Sequence, residues 1–193
     1  DLAEGEAIAL VGPSGAGKTT LLKLVCGIHR PSRGTIECAG VTVTAMSDKA
    51  RREWRLKKVG VVFQDFALMD YLTVRENLLL PLQLGAGVGP ADESKARGLA
   101  DQLEVGRYWH KRAGELSQGE RQRVAIARAM VHRPVFVLAD EPTASLDSAR
   151  KSQVVRLMLE ECRSRKAGLV MVTHDPELAP LFDRIVSLED IAS

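Results

Sequence analysis

Four short runs of consecutive apolar residues stand out from a chain that is otherwise patterned at helical spacing. They are Ala7–Val11 (AIALV), Val59–Phe63 (VGVVF), Val135–Ala139 (VFVLA) and Leu169–Thr173 (LVMVT). None alternates apolar with polar residues, so each predicts a strand buried on both faces, the kind that builds a parallel sheet. A helix is predicted over Gly17–Gly27, directly after the first strand. From Asp65 to Arg133 the apolar runs stop and the pattern turns helical, in TVRENLLLPLQL from Thr73, ADESKARGLADQLEV from Ala91 and QGERQRVAIARAM from Gln118. Thr35–Cys38 and Val41–Thr44, joined by Ala39-Gly40, predict a small hairpin. Strands alternating with helices define an α/β fold with a mainly parallel sheet. The stretch 65–132 reads as a helical subdomain inserted into a core made of 1–64 and 133–193, all within a single domain.

The helix that begins after Leu116 carries a puzzle at its head. Ser117 and Glu120 form an S-x-x-E capping box, and Val124, Ala127 and Val131 lie on one apolar stripe. Gly119, inside the first turn, costs roughly 0.5–1 kcal/mol relative to alanine. Helix formation alone gives no reason for it.

Composition leaves the partners open. The chain has 193 residues, 45% of them hydrophobic and 27% charged, with a formal charge of +2. That balance lacks the strongly basic character of a dedicated nucleic-acid binder. Cys26, Cys38 and Cys162 are scattered and without C-x-x-C spacing, so reduced thiols are expected rather than disulfides or a zinc site. The longest apolar stretch, LLLPLQLGAGVG from Leu78, is interrupted by Pro81 and by glycines. It falls short of the roughly 18 residues of a membrane helix. No secretory leader is expected ahead of the first strand. Work at a membrane would require the span to come from another chain.

Two motifs carry chemistry. Gly12–Thr20 (GPSGAGKTT) fits G-x-x-x-x-G-K-[ST] between a strand and a helix. In that pattern glycines turn backbone N–H groups inward around a phosphate, at a helix N-terminus whose dipole favours an anion. Lys18 is placed to reach the β- and γ-phosphates, and the Thr19 hydroxyl to ligate Mg²⁺. The second motif is VFVLADE, in which Asp140 ends a buried strand and Glu141 follows. Carboxylates at the carboxyl edge of such a strand reach the crevice where open α/β sheets bind ligands. Asp140 is therefore the candidate on the Mg²⁺ side and Glu141 the candidate general base.

LSQGE from Leu116, taken with GPSGAGKT, Gln64 in VVFQDF, ADEPTASLD from Ala139 and His174 in VTHD, resembles the ATP-binding cassette (ABC) ATPases, motif for motif and in order. The wording QDFAL, LTVRENLLLPL, GERQRVAIARAM and LADEPT is most similar to the lipoprotein-release, macrolide-export and cell-division-associated branch. The resemblance implies a P-loop NTPase (RecA-like) core and an ATPase that dimerises head to tail around two ATP-Mg²⁺. It implies that Gly12, Pro13, Ser14, Gly15, Ala16, Gly17, Lys18, Thr19 and Thr20 bind ATP. Thr19, Gln64 and Asp140 would serve the metal, while Glu141, His174 and Gln64 would be catalytic, with His174 contacting the γ-phosphate. Ser117, Gln118, Gly119 and Glu120 would address ATP held by the other subunit, with Asp147 in the crossing loop Ser145-Leu146-Asp147. Gly119 then has a reason: a side chain there would hold the backbone away from phosphate.

The implied partners are a second nucleotide-binding subunit, identical or not, and an integral membrane permease, with no nucleic acid. The implied location is cytoplasmic, peripheral on the inner or plasma membrane. An ATP-gated scaffold of the cell-division type is the alternative within the family. Chromosome-maintenance ATPases share the two motifs but separate them by long coiled coils, whereas here about one domain's worth of sequence intervenes.

Departures from the family pattern set further expectations. Its members carry an adenine-stacking aromatic residue in a strand well upstream of the phosphate loop, but this chain starts eleven residues before Gly12. A truncated N-terminal antiparallel part is therefore expected, and the lost stacking would weaken nucleotide binding by roughly 1–3 kcal/mol. The signature reads LSQGE where LSGGQ is commoner, but Ser117 and Gly119 are kept. Asp48–Lys58 is the densest basic run, read as a solvated helix face with Trp54 turned to the core, or else as a contact for anionic headgroups or a membrane partner. In the family the segment after Gln64 adjoins the groove that receives a helix of the permease. Leu78–Leu80 within it read as core.

Overall fold

The computed structural model describes residues 1–13, 15–85 and 87–189. Five parallel strands form one sheet in the order β4-β5-β6-β1-β7: β1 Ala7–Val11, β4 Val59–Val62, β5 Phe136–Asp140, β6 Gly168–Val172 and β7 Arg184–Ser187. The four apolar runs become β1, β4, β5 and β6, each within a residue of its expected bounds. β7 has no such run. It is an edge strand whose Arg184 and Ile185 are exposed, so burial never imposed a continuous apolar signal on it.

Helices cover both faces of the sheet. α1 (Lys18–Val25) and α2 (Asp48–Lys58) lie on one face, where Leu22, Cys26 and Trp54 pack with Leu10, Phe136, Leu138 and Val172. Trp54 meets Phe136 at 5.9 Å between ring centroids, so it faces the core as expected. On the other face α5 (Gln118–Met130) and α6 (Ser148–Ser164) pack with Ala7, Ala9, Val137, Ala139, Leu169 and Met171. Neighbouring residues along each strand thus face opposite layers, and both layers are apolar. Gly60 lets α5 approach closely, since a Cβ there would sit 2.3 Å from the Ala129 carbonyl.

α3 (Val74–Leu84) and α4 (Pro90–Gln102) precede α5, so the stretch expected to be helical is helical. Thr73 and Glu76 form a complete capping box on α3. Arg75 ties α3 to α4 through two hydrogen bonds to Glu93, at 2.6 and 2.9 Å. Asn77, fully buried, donates to the carbonyls of Met69, Leu72 and Thr73 and accepts from Met69 N–H. Pro81 does not end α3, which runs three residues past it. Leu78 and Leu79 are core and Leu80 is half-buried.

The hairpin is shorter than expected. β2 (Glu37–Cys38) and β3 (Val41–Thr42) pair across Ala39 and Gly40, both at positive φ, and the chain then enters a 3₁₀ turn at Val43–Ala45. Cys26, Cys38 and Cys162 are free, and burial pushes the Cys162 thiol up to about 12. Among the described residues no helix is long and apolar enough to cross a membrane.

Candidate functional site

Every candidate for nucleotide chemistry in the subunit's own site emerges from the carboxyl edge of the parallel sheet. The phosphate loop leaves β1, Gln64 lies two residues past β4, Asp140 ends β5 with Glu141 next, and His174 lies two residues past β6. Strand register aligns these exits, since Val62 pairs with Ala139, and Asp140 with Val172. This is the edge at which open α/β sheets bind ligands.

In the loop, Gly15 and Gly17 have φ of 81° and 93°. A Cβ on either would meet nothing within 4 Å, so the left-handed backbone rather than crowding calls for glycine there. Gly17 caps α1 without a side chain, and no acidic residue stands in the first turn. The helix therefore presents uncompensated N–H groups to an anion. Lys18, almost fully buried, donates to the carbonyls of Gly12 and Pro13 at 2.8 and 2.7 Å, which draws the loop around its ammonium. Ser14, within this set, lies outside the described residues.

The Thr19 hydroxyl donates to Asp140 Oδ2 at 2.6 Å, across 121 positions of sequence. Asp140 is buried, so the two oxygens form a fixed pair beside the loop. Among the described residues no cluster of three or more acidic, His or Cys side chains could hold a metal. Thr19 and Asp140 offer two adjacent oxygens, a donor set of the kind a hard cation such as Mg²⁺ takes from protein. Glu141 sits at φ 47°, a left-handed conformation uncommon outside glycine, fixed by its N–H to the Val172 carbonyl at 3.1 Å. His174 Nε2 lies 2.8 Å from Glu141 Oε1. A cleft of about 350 Å³ opens beside them, lined by Glu141, Thr143, Lys151, His174 and Asp175. Gln64 is exposed and makes no side-chain hydrogen bond among the described residues.

The second group of candidates stands apart. Among the described residues no hydrogen bond or ion pair joins 117–120 to the loop at 12–20. Ser117 caps α5, its N–H donating to Glu120 Oε2 at 2.8 Å, while Gln118 is exposed at the helix start. Partial burial opposes the charge on Glu120, yet hydrogen bonds from Tyr108 and Ser117 hold its carboxyl below the usual value. A Cβ on Gly119 would lie 3.3 Å from Leu146 Cδ2, so this turn is packed against the loop that precedes α6. Asp147 caps α6, accepting from Arg150 N–H at 3.0 Å.

Two basic residues beside the candidate site have no sequence signal. Arg128 of α5 donates to the carbonyls of Ala67 and Phe66, at 2.6 and 2.7 Å, and pins the segment just after Gln64 in its left-handed turn. Lys151 of α6 pairs with Asp175 at 2.9 Å. Both act through contacts distant in sequence, and a lone basic residue on a helix does not announce its partner.

The profile of the family described as ABC transporter matches residues 1–144. The lipoprotein-releasing system ATP-binding protein LolD of Legionella pneumophila is 44% identical over 191 residues, covering 98% of this chain and 83% of that protein. The ABC transporter ATP-binding protein YxdL of Bacillus subtilis is 42% identical, covering 97% and 73%. The fold superposes on the dimeric ATP-binding cassette MJ0796 in a post-hydrolysis state bound to ADP and Pi, with TM-score 0.90, 34% identity, and coverage of 97% of this chain and 82% of that one.

Proposed function

The chain belongs to the ABC transporter family, as an ATPase cassette, and on that premise we propose that it hydrolyses ATP in a head-to-tail dimer that drives a separate membrane permease. The observation that carries this reading is the pairing of Thr19 with Asp140 and of Glu141 with His174 beside the loop that closes on Lys18. The dimer reading is supported by the separate helix start at Ser117, which has no part in that cluster.

Each residue has a role in the proposal. Backbone N–H groups of Gly15 to Thr19 and the Lys18 ammonium bind the phosphates. Thr19 and Asp140, with Gln64 at the neighbouring strand end, would hold Mg²⁺. That ion would supply charge neutralisation between the phosphate oxygens. Phosphoryl transfer asks little covalent chemistry of the protein, so its residues position and stabilise. Glu141 accepts a proton from the attacking water and aims it in line with the leaving oxygen, and His174 orients Glu141 and contacts the γ-phosphate. Ser117 and Gly119 complete the site of the other subunit, with Gln118, Glu120 and Asp147 alongside.

In this reading 1–64 and 133–193 form the nucleotide-binding core and 65–132 the signature subdomain. Met69, Tyr71 and Leu84 are exposed apolar residues on that subdomain, and they support a permease contact there. Arg75 and Glu76, by contrast, are engaged in holding α3 itself. The working place is then the cytoplasmic face of the membrane.

The test is Glu141→Gln. ATP binding is expected to persist while turnover falls by about 10²–10⁴-fold, with the protein trapped as an ATP-bound dimer. Wild-type turnover in that variant would refute the assignment of the base.

A further inference from the structure

We propose that Lys151 is a positioning residue for hydrolysis: by holding Asp175 it fixes the turn that carries His174 against Glu141, and so ties the base to the loop 145–147. This rests on the roles given above to Glu141 and His174 and adds a lever to them.

The geometry is continuous. His174 has a neighbour on each side that anchors it. Thr173, buried, donates its N–H to the Leu10 carbonyl at 3.3 Å, and its hydroxyl accepts from Asp175 N–H at 3.1 Å. The Asp175 carboxylate divides its oxygens between two tasks. Oδ1 accepts from Glu177 N–H at 3.0 Å and closes the turn, while Oδ2 accepts from Lys151 Nζ at 2.9 Å. The Lys151 ammonium, and then the Glu177 N–H, hold the Asp175 carboxyl below the usual range.

Lys151 belongs to the first turn of α6, where its own N–H donates to the Asp147 carbonyl at 2.9 Å. Asp147 in turn caps that helix. Leu146, one residue earlier, packs under Gly119 at the head of α5. A displacement of the loop 145–147 therefore moves the start of α6, and Lys151 carries that motion to Asp175 and His174. Nothing else on α6 bonds to the turn 173–177 among the described residues. A long flexible side chain reaching a carboxylate suits this role, since it transmits position without being packed into the core.

The chain of contacts is spatial, so the claim needs a coupling measurement. ATP turnover and KM are measured for Lys151→Met, Lys151→Arg, His174→Ala and the double variant Lys151→Met/His174→Ala, with thermal unfolding of each. Lys151→Met is expected to lower kcat by about 10- to 100-fold, the range that misplacement of a reacting group can cost. KM for ATP should stay within about twofold, and the unfolding midpoint should hold. Lys151→Arg should recover most of the rate, and adding Lys151→Met to His174→Ala should cost little more. Wild-type kcat in Lys151→Met, a loss carried mainly in KM, or full additivity with His174→Ala would each overturn the proposal. Glu141→Gln run alongside separates the two readings. If it is inactive while Lys151→Met is normal, only the lever fails; if Glu141→Gln turns over normally, the base assignment fails as well.

Discussion

Gly119 shows how one position answers to two demands. Sequence gives it a cost of roughly 0.5–1 kcal/mol as a glycine in a helix. The structure adds a neighbour, Leu146 Cδ2, at 3.3 Å from where a Cβ would stand. A methyl group there gains helix propensity and crowds Leu146, so the two effects on stability oppose each other. In the proposed dimer the functional demand is one-sided, because the methyl would stand between the helix start and the partner's phosphate. Gly119→Ala is therefore expected to leave the unfolding midpoint nearly unchanged and to lower ATP turnover by about tenfold or more. A variant with wild-type turnover would mean that packing on Leu146 is the whole reason for the glycine. Glu141 belongs to the same scale. Its left-handed backbone is held by Val172, so the carboxylate is aimed before any ligand arrives.

Among the elements, β4 and α5 meet at a notably close approach. Gly60 brings the strand against the Ala129 carbonyl, and Pro134 Cγ lies 3.1 Å from where a Cβ would stand. Gly60→Ala must push the helix away from the sheet, an overpacking that costs about 1–3 kcal/mol. For a chain of this size that is a fall in Tm of roughly 2–12 °C, read by calorimetry or circular dichroism; an unchanged Tm would show that the interface yields freely. The central strands and the helical stretch were legible in sequence because burial on both faces keeps strand interiors apolar, and amphipathic helices keep their period. β7 was not legible because an edge strand needs neither. The hairpin at 37–42 was overestimated in length, since Val43 is claimed by the core beneath it rather than by the ladder.

At the scale of the whole molecule, the site was legible wherever its residues share a local motif, as Lys18 with Thr19 and Asp140 with Glu141 do. Register explains why these motifs converge: parallel strands deliver all their ends to one edge. Arg128 and Lys151 were not legible, because each works on a partner brought near only by the fold. The remaining question is why one chain carries a phosphate cradle and a second, separate helix start. In the proposed head-to-tail dimer each complete site is shared between two subunits, the cradle from one and Ser117 with Gly119 from the other.

Mixing two inactive variants tests that answer most directly. Lys18→Ala disables the cradle. Ser117→Asp keeps a good N-cap while placing a carboxylate against the γ-phosphate of the partner's nucleotide. Each alone should be nearly inactive. In a mixed dimer one site inherits both lesions and the other inherits neither. Random pairing makes roughly half of the dimers mixed, so the mixture should recover about a quarter of wild-type ATP turnover. A mixture no more active than the sum of its two parents would contradict the head-to-tail account.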